Sequence, residues 1–187
     1  TKDDPSDIID DYFSETAYKN QPYGRTILGP AKNIKKFTRE DILNYVDKQY
    51  KTEDIVISFA GKLENEEAVK LVQKYFTSLN VGKNKEPEKA VYTGGYFAKN
   101  KKLEQTQLIM GFESYTHLDK HFYEAGVLGI VLGGGMSSRL FQEIREKRGL
   151  CYRINAGNSS SHDTGTFDIY CAVAPDKINE LIIATIE

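Results

Sequence analysis

Apolar residues recur at helical spacing through the first half of the chain and alternate in the second. Between Pro5 and Tyr18, Ile8, Ile9, Tyr12 and Phe13 fall on one helical face, with acids crowded at its start where the helix dipole favours them. A first helix is expected there. Pro22 to Pro30, Pro-Tyr-Gly-Arg-Thr-Ile-Leu-Gly-Pro, is bracketed by turn formers and reads as a loop. Thr38 stands three residues before Asp41, the spacing of a reciprocal helix cap, and Ile42, Tyr45, Val46 and Gln49 continue a stripe to about Tyr50. Ile55-Val56-Ile57-Ser58-Phe59-Ala60-Gly61 predicts a short buried strand. Asn65 then caps a helix whose Ala68, Val69, Val72, Tyr75, Phe76 and Leu79 share a face.

Val81 to Lys89, polar and charge-alternating around Pro87, reads as a linker. Strands are expected over 92–97 and 106–112, a helix over 119–132, then a glycine run and a charged helix from Ser137. Cys151 to Ala156 and Thr166 to Val173 read as strands, with Phe167, Ile169, Cys171 and Val173 alternating against Thr166, Asp168, Tyr170 and Ala172. A last amphipathic run from Lys177 to Ile186 stops without a cap, so the natural protein is expected to continue.

Composition narrows the function classes. With 187 residues, 40% hydrophobic, the chain can bury an ordinary core. Its 25 basic and 27 acidic residues leave a net charge of −2, with no basic run beyond Lys99-Asn100-Lys101-Lys102, so nucleic acid is not an expected partner. No apolar stretch is long enough to cross a bilayer, and the start does not resemble a signal peptide. Two cysteines in strand-like runs, Cys151 and Cys171, make no disulfide framework and point to a reducing cytoplasm; an upstream leader would make it periplasmic.

Candidate chemistry centres on Arg145 and Tyr152, seven residues apart across a turn at Gly149. The helical neighbours of Arg145 at three and four positions include no carboxylate, whereas Glu143 can pair with Arg139 or Lys147. Arg145 therefore reads either as solvated or as free for a carboxylate, a carbonyl or a partner chain. Tyr152 shares a strand face with Ile154 and Ala156 and reads as a core tyrosine or a functional phenol. Gly133-Gly134-Gly135 matches no phosphate-loop pattern and reads as a hinge or tight helix connection. His117 and His121 are four apart but lack the glutamate of a zinc helix, and His162 reads as a turn residue.

The run from Gly133 to Tyr152, GGGMSSRLFQEIREKRGLCY, resembles the pitrilysin/insulinase-type zinc metallopeptidases, the inverzincins, and within them bacterial proteins similar to mitochondrial processing peptidase. Asp3-Asp4-Pro5, the 22–29 loop, Ala60-Gly61 and Tyr92-Thr93-Gly94-Gly95 look like further landmarks of that family. The resemblance implies an α+β fold, with parts of two similar α/β-sandwich domains whose mixed or antiparallel sheets carry packed helices. Residues 1–82 would be the later part of the zinc-bearing N-terminal domain, 83–91 a linker, and 92–187 the first part of the C-terminal, peptidase-like domain. It also implies that Arg145 and Tyr152 contact substrate and stabilise the reacting carbonyl oxygen, and that Gly133, Gly134 and Gly135 form a short version of a substrate-handling loop.

The family's His-x-x-Glu-His helix does not occur in this sequence. Zinc is therefore expected in an intact parent but not here, no residue is assigned as a metal ligand, and Asp3, Asp4, Asp7, Asp10 and Asp11 read as helix-start and surface acids. The parent is expected to cleave unstructured peptides, alone or as a homodimer or heterodimer with a related subunit, while this chain alone is expected to be inactive. The alternative is a non-catalytic partner or a structural subunit like the core proteins of a respiratory complex.

Overall fold

The computed structural model describes residues 5–187; Asp3 and Asp4, read above as helix-start acids, lie outside the described residues. The fold is α+β, and its contacts gather into two units, residues 1–28 with 89–187 and residues 29–88. The first unit thus joins the N-terminal segment to everything beyond the 83–91 stretch.

The first unit is built on an antiparallel sheet of β1 (Thr106–Ser114), β2 (Cys151–Ser160) and β3 (Gly165–Val173), in the order β1-β3-β2. β3 is central because its alternation supplies a full apolar face: Ile169 stands opposite Met110 and Ala156, and Cys171 opposite Leu108 and Ile154. Helix α5 (Phe122–Gly133), a π-helix (Phe141–Lys147) and α6 (Ile178–Ile186) complete this side. Leu140, Ile144, Leu150 and Leu181 bury against Ile154, Phe167, Ile169, Cys171 and Val173.

α1 (Pro5–Ala17) lies against β1. The Phe13 ring fills the space above Gly111, where an added Cβ would meet it at 2.1 Å. Tyr18, buried at the end of this segment, shares its hydroxyl with Thr164 at 2.7 Å. Residues 92–97, expected as a strand, have no ladder partner among the described residues. Gly94 and Gly95 adopt φ of 63° and 142°, which breaks the extended run, and Tyr92 instead donates to the Gly111 carbonyl at 2.9 Å.

The second unit holds α2 (Ala31–Ile34), α3 (Arg39–Gln49) and α4 (Asn65–Tyr75). Thr38 and Asp41 form the expected capping box: the Asp41 N–H donates to Thr38 Oγ1 at 3.2 Å and the Thr38 N–H to Asp41 Oδ2 at 2.9 Å. Asn65 is the first helical residue of α4 and not its cap, since Glu64 takes that position. The expected strand at 55–61 is not formed, because an extended segment needs a hydrogen-bonded neighbour and the described residues of this unit offer only the single bridge Lys51–Asn80. Ala68 is its one buried hydrophobic residue, and Ile42, Tyr45 and Val56 are exposed.

Candidate functional site

The segment from Ser138 to Arg153 builds the site. Leu140 and Ile144, four residues apart, point into the core, and Phe141 and Arg145 form the next stripe along, at the boundary between core and solvent. The N-terminal end of this helix is tied to the glycine loop: the Gln142 N–H donates to the Ser138 carbonyl at 3.0 Å, and Gln142 Nε2 to the Met136 carbonyl at 2.6 Å. At the other end Gly149 takes φ 60°, the left-handed turn for which glycine is suited, and the Leu150 N–H closes on the Ile144 carbonyl at 3.0 Å. The π-helical winding from Phe141 to Lys147 is a rare geometry that recurs at functional sites.

β2 then opens with an irregularity that decides where Tyr152 points. Cys151 pairs with Val173 and Arg153 with Ala172, so Tyr152 has no partner across the strand. This β-bulge re-aims its side chain. Cys151 and Ile154 are buried, while Tyr152 is 74% exposed. The face-sharing of Tyr152 with Ile154 and Ala156 anticipated from alternation is thereby corrected, because one extra residue shifts the alternation at that point.

Arg145 and Tyr152 come together. The Arg145 guanidinium carbon lies 5.7 Å from the centroid of the Tyr152 ring and 4.5 Å from that of Phe141. Its ion pair is with the adjacent Glu146, Nε to Oε1 at 3.8 Å, long and exposed. Glu143 is engaged by Lys147, and Arg148 reaches Glu187 at 3.3 Å. Burial pushes the Cys151 thiol pKa up, and the nearby Arg145 charge partly opposes that shift. An exposed phenol beside a cation whose neighbours leave its N–H groups largely free can donate to an anionic or carbonyl oxygen.

The three glycines have different surroundings. A Cβ on Gly133, the last residue of α5, would lie 2.0 Å from the Ala156 nitrogen, so this glycine sets the contact between α5 and β2. A Cβ on Gly134 would meet the Ile130 Cα at 2.7 Å, whereas Gly135 faces open space. Gly133 and Gly134 are thus held by packing, and Gly135 belongs to the open turn that leads to Ser138.

No three His, Cys, Asp or Glu side chains converge as a metal-binding group among the described residues. His121 pairs with Glu124, and the His117 ring lies 5.8 Å from that of His162. This donor set does not fit catalytic zinc, which takes three protein ligands and an open position. Among the described residues no helix is long and apolar enough to cross a membrane.

Phe141 is the site residue that sequence reasoning passed over. Its signal was its place four residues before Arg145, on the same side of a helix, where an aromatic face attracts a cation.

Residues 36–187 match the peptidase M16 inactive domain. The whole chain aligns at 43% identity with an uncharacterized zinc protease of Rickettsia bellii, covering 45% of that protein. An M16 inactive domain structure from Pseudomonas fluorescens superposes with a TM-score of 0.78 at 23% identity, over 98% of this chain and 45% of that one. A chain of complex III from Candida albicans superposes with a TM-score of 0.80 at 16% identity, over 97% of this chain and 46% of that one. The chain therefore spans about half the length of the relatives it matches.

Proposed function

The chain belongs to the peptidase M16 family, and from that premise we propose that it is the part of a zinc endopeptidase that presents Arg145 and Tyr152 to an unstructured peptide. The observation that carries this reading is the convergence of an exposed phenol and a guanidinium on one rim, produced by a β-bulge and a glycine-ended helix. Zinc in such a protein would be held by residues outside this chain. The residues here orient the peptide. Arg145 donates N–H groups to its backbone and, together with the Tyr152 hydroxyl, to the oxygen that gains negative charge as the carbonyl becomes tetrahedral. Both are donors whose value rises as that charge develops, so their removal is expected to lower turnover more than binding. Gly135 and the open turn after it give the substrate room beside this rim.

The test uses the intact protein with an unstructured fluorogenic peptide. Zinc content and chelator-sensitive cleavage are measured first, then Arg145→Ala and Tyr152→Phe, each expected to lose about a hundredfold to a thousandfold in kcat. Both variants within about threefold of the parent would refute the donor roles. An intact protein with neither zinc nor cleavage would favour the second reading, a non-catalytic partner or structural subunit, for which the match to a family described as an inactive domain is the supporting observation.

A further inference from the structure

A flexible arginine is useful as a donor only if it is held without consuming its N–H groups. Ordering its long side chain costs rotamer freedom. A carboxylate could hold Arg145, but would take one or two of the N–H groups that an oxygen of the substrate would need. Glu146, its ion-pair partner, sits at 3.8 Å with both side chains substantially exposed, which is a weak restraint. The Phe141 ring is a different kind of partner: it lies under the guanidinium at 4.5 Å, attracts the cation through its face, and leaves the N–H edge unpaired. Phe141 is half-buried, follows buried Leu140, and precedes Gln142, whose side chain donates to the Met136 carbonyl.

We infer that Phe141 is a positioning residue, whose ring holds the Arg145 guanidinium beside Tyr152 with its donors free. The inference rests on the reading of Arg145 as a substrate-facing donor. It assigns to Phe141 no contact with the reacting atoms; its effect passes through Arg145. An aromatic face at this position is therefore required, and apolar bulk alone does not substitute.

In the intact protein, Phe141→Leu and Phe141→Met are expected to lower kcat by about threefold to thirtyfold with KM within about twofold, the range for a partly desolvated cation–π contact. Phe141→Tyr, which keeps the ring, is expected to restore kcat to within about twofold of the parent. In an Arg145→Ala background, Phe141→Leu is expected to cost nothing further, since its partner is gone. The Arg145 Nε–Hε resonance, observed by NMR, is expected to lose its ring-current shift in Phe141→Leu and to keep it in Phe141→Tyr. Less than about threefold loss in both apolar variants, while Arg145→Ala is severely impaired, would overturn the positioning role and leave the donor reading of Arg145 standing. An additive loss in the double variant would also overturn it, by showing that Phe141 acts on its own. If Arg145→Ala is nearly silent, the donor reading falls instead. The resonance then decides whether Phe141 holds the guanidinium, and an unchanged shift in Phe141→Leu would remove that claim as well.

Discussion

Gly133→Ala tests the packing that seats α5 on the strand carrying Tyr152. The new methyl would lie 2.0 Å from the Ala156 nitrogen and 2.7 Å from its Cβ, against ordinary contact beginning at 3.4 Å, so helix and strand must separate by more than an ångström or the helix end must unwind. The obstacle is backbone, which cannot rotate away. Forcing a methylene into a packed interior costs about 1–3 kcal/mol. Alanine's advantage over glycine, about 1 kcal/mol in a helix interior, is smaller here because Gly133 ends the helix. A net loss of about 1–2 kcal/mol is expected, lowering Tm by roughly 2–8 °C. Gly126→Ala in the same helix is the control: nothing lies within 4 Å of its added Cβ, so helix propensity acts alone and stability should rise by about 0.5–1 kcal/mol. Urea and thermal unfolding followed by circular dichroism compare the two. A Gly133→Ala protein as stable as the parent, or moving in the same direction as Gly126→Ala, would refute this account of the α5–β2 contact.

Three other perturbations have signs set by the structure. Asp168 sits between Gly111 and Gly157 in the sheet, and burial, with a smaller contribution from the Asp10 charge, raises its pKa above the ordinary 3.8. A raised acid is penalised when charged, so the penalty is absent below pH 3.8 and sets in as pH rises through the folded-state value. Asp168→Asn should therefore raise Tm at pH 7 and lose that advantage below pH 3.8, and an unchanged Tm at pH 7 would contradict it. Tyr18→Phe leaves the buried Thr164 hydroxyl without its partner and should cost about 1–3 kcal/mol in urea unfolding, with Thr164→Val in the same background recovering part of it. Burial, with a smaller contribution from Cys151, pushes the Cys171 thiol up to about 12, so the unfolded thiol ionises first and stability should fall as pH rises from 9.0 towards that value. Cys171→Val should remove that part of the slope, and rapid alkylation of Cys171 in the native protein at pH 8 would show that the thiol is not sequestered.

Much of the architecture was legible because it rests on local rules. The helices at 5–17 and 39–49 follow from apolar spacing, the Thr38–Asp41 cap from its three-residue interval, and β3 from strict alternation. The strands expected at 55–61 and 92–97 were not, because apolar β-branched or aromatic character describes a segment suited to pairing, and pairing needs a neighbour supplied from elsewhere in the chain. The positive-φ glycines at 94 and 95 were visible as residues, but their conformation was not.

The sequence by itself determined that Arg145 and Tyr152 lie near each other, since the glycine at 149 that ends the helix and the short interval to Tyr152 keep the guanidinium and the phenol within reach. Only the tertiary structure decided how they are presented. The bulge against β3 turned Tyr152 out of the core, and the burial of Leu140 and Ile144 rotated Phe141 and Arg145 to the rim. Gly133 proved to be a packing contact for the same reason: strand register and helix seating arise from distant partners, which local periodicity does not encode.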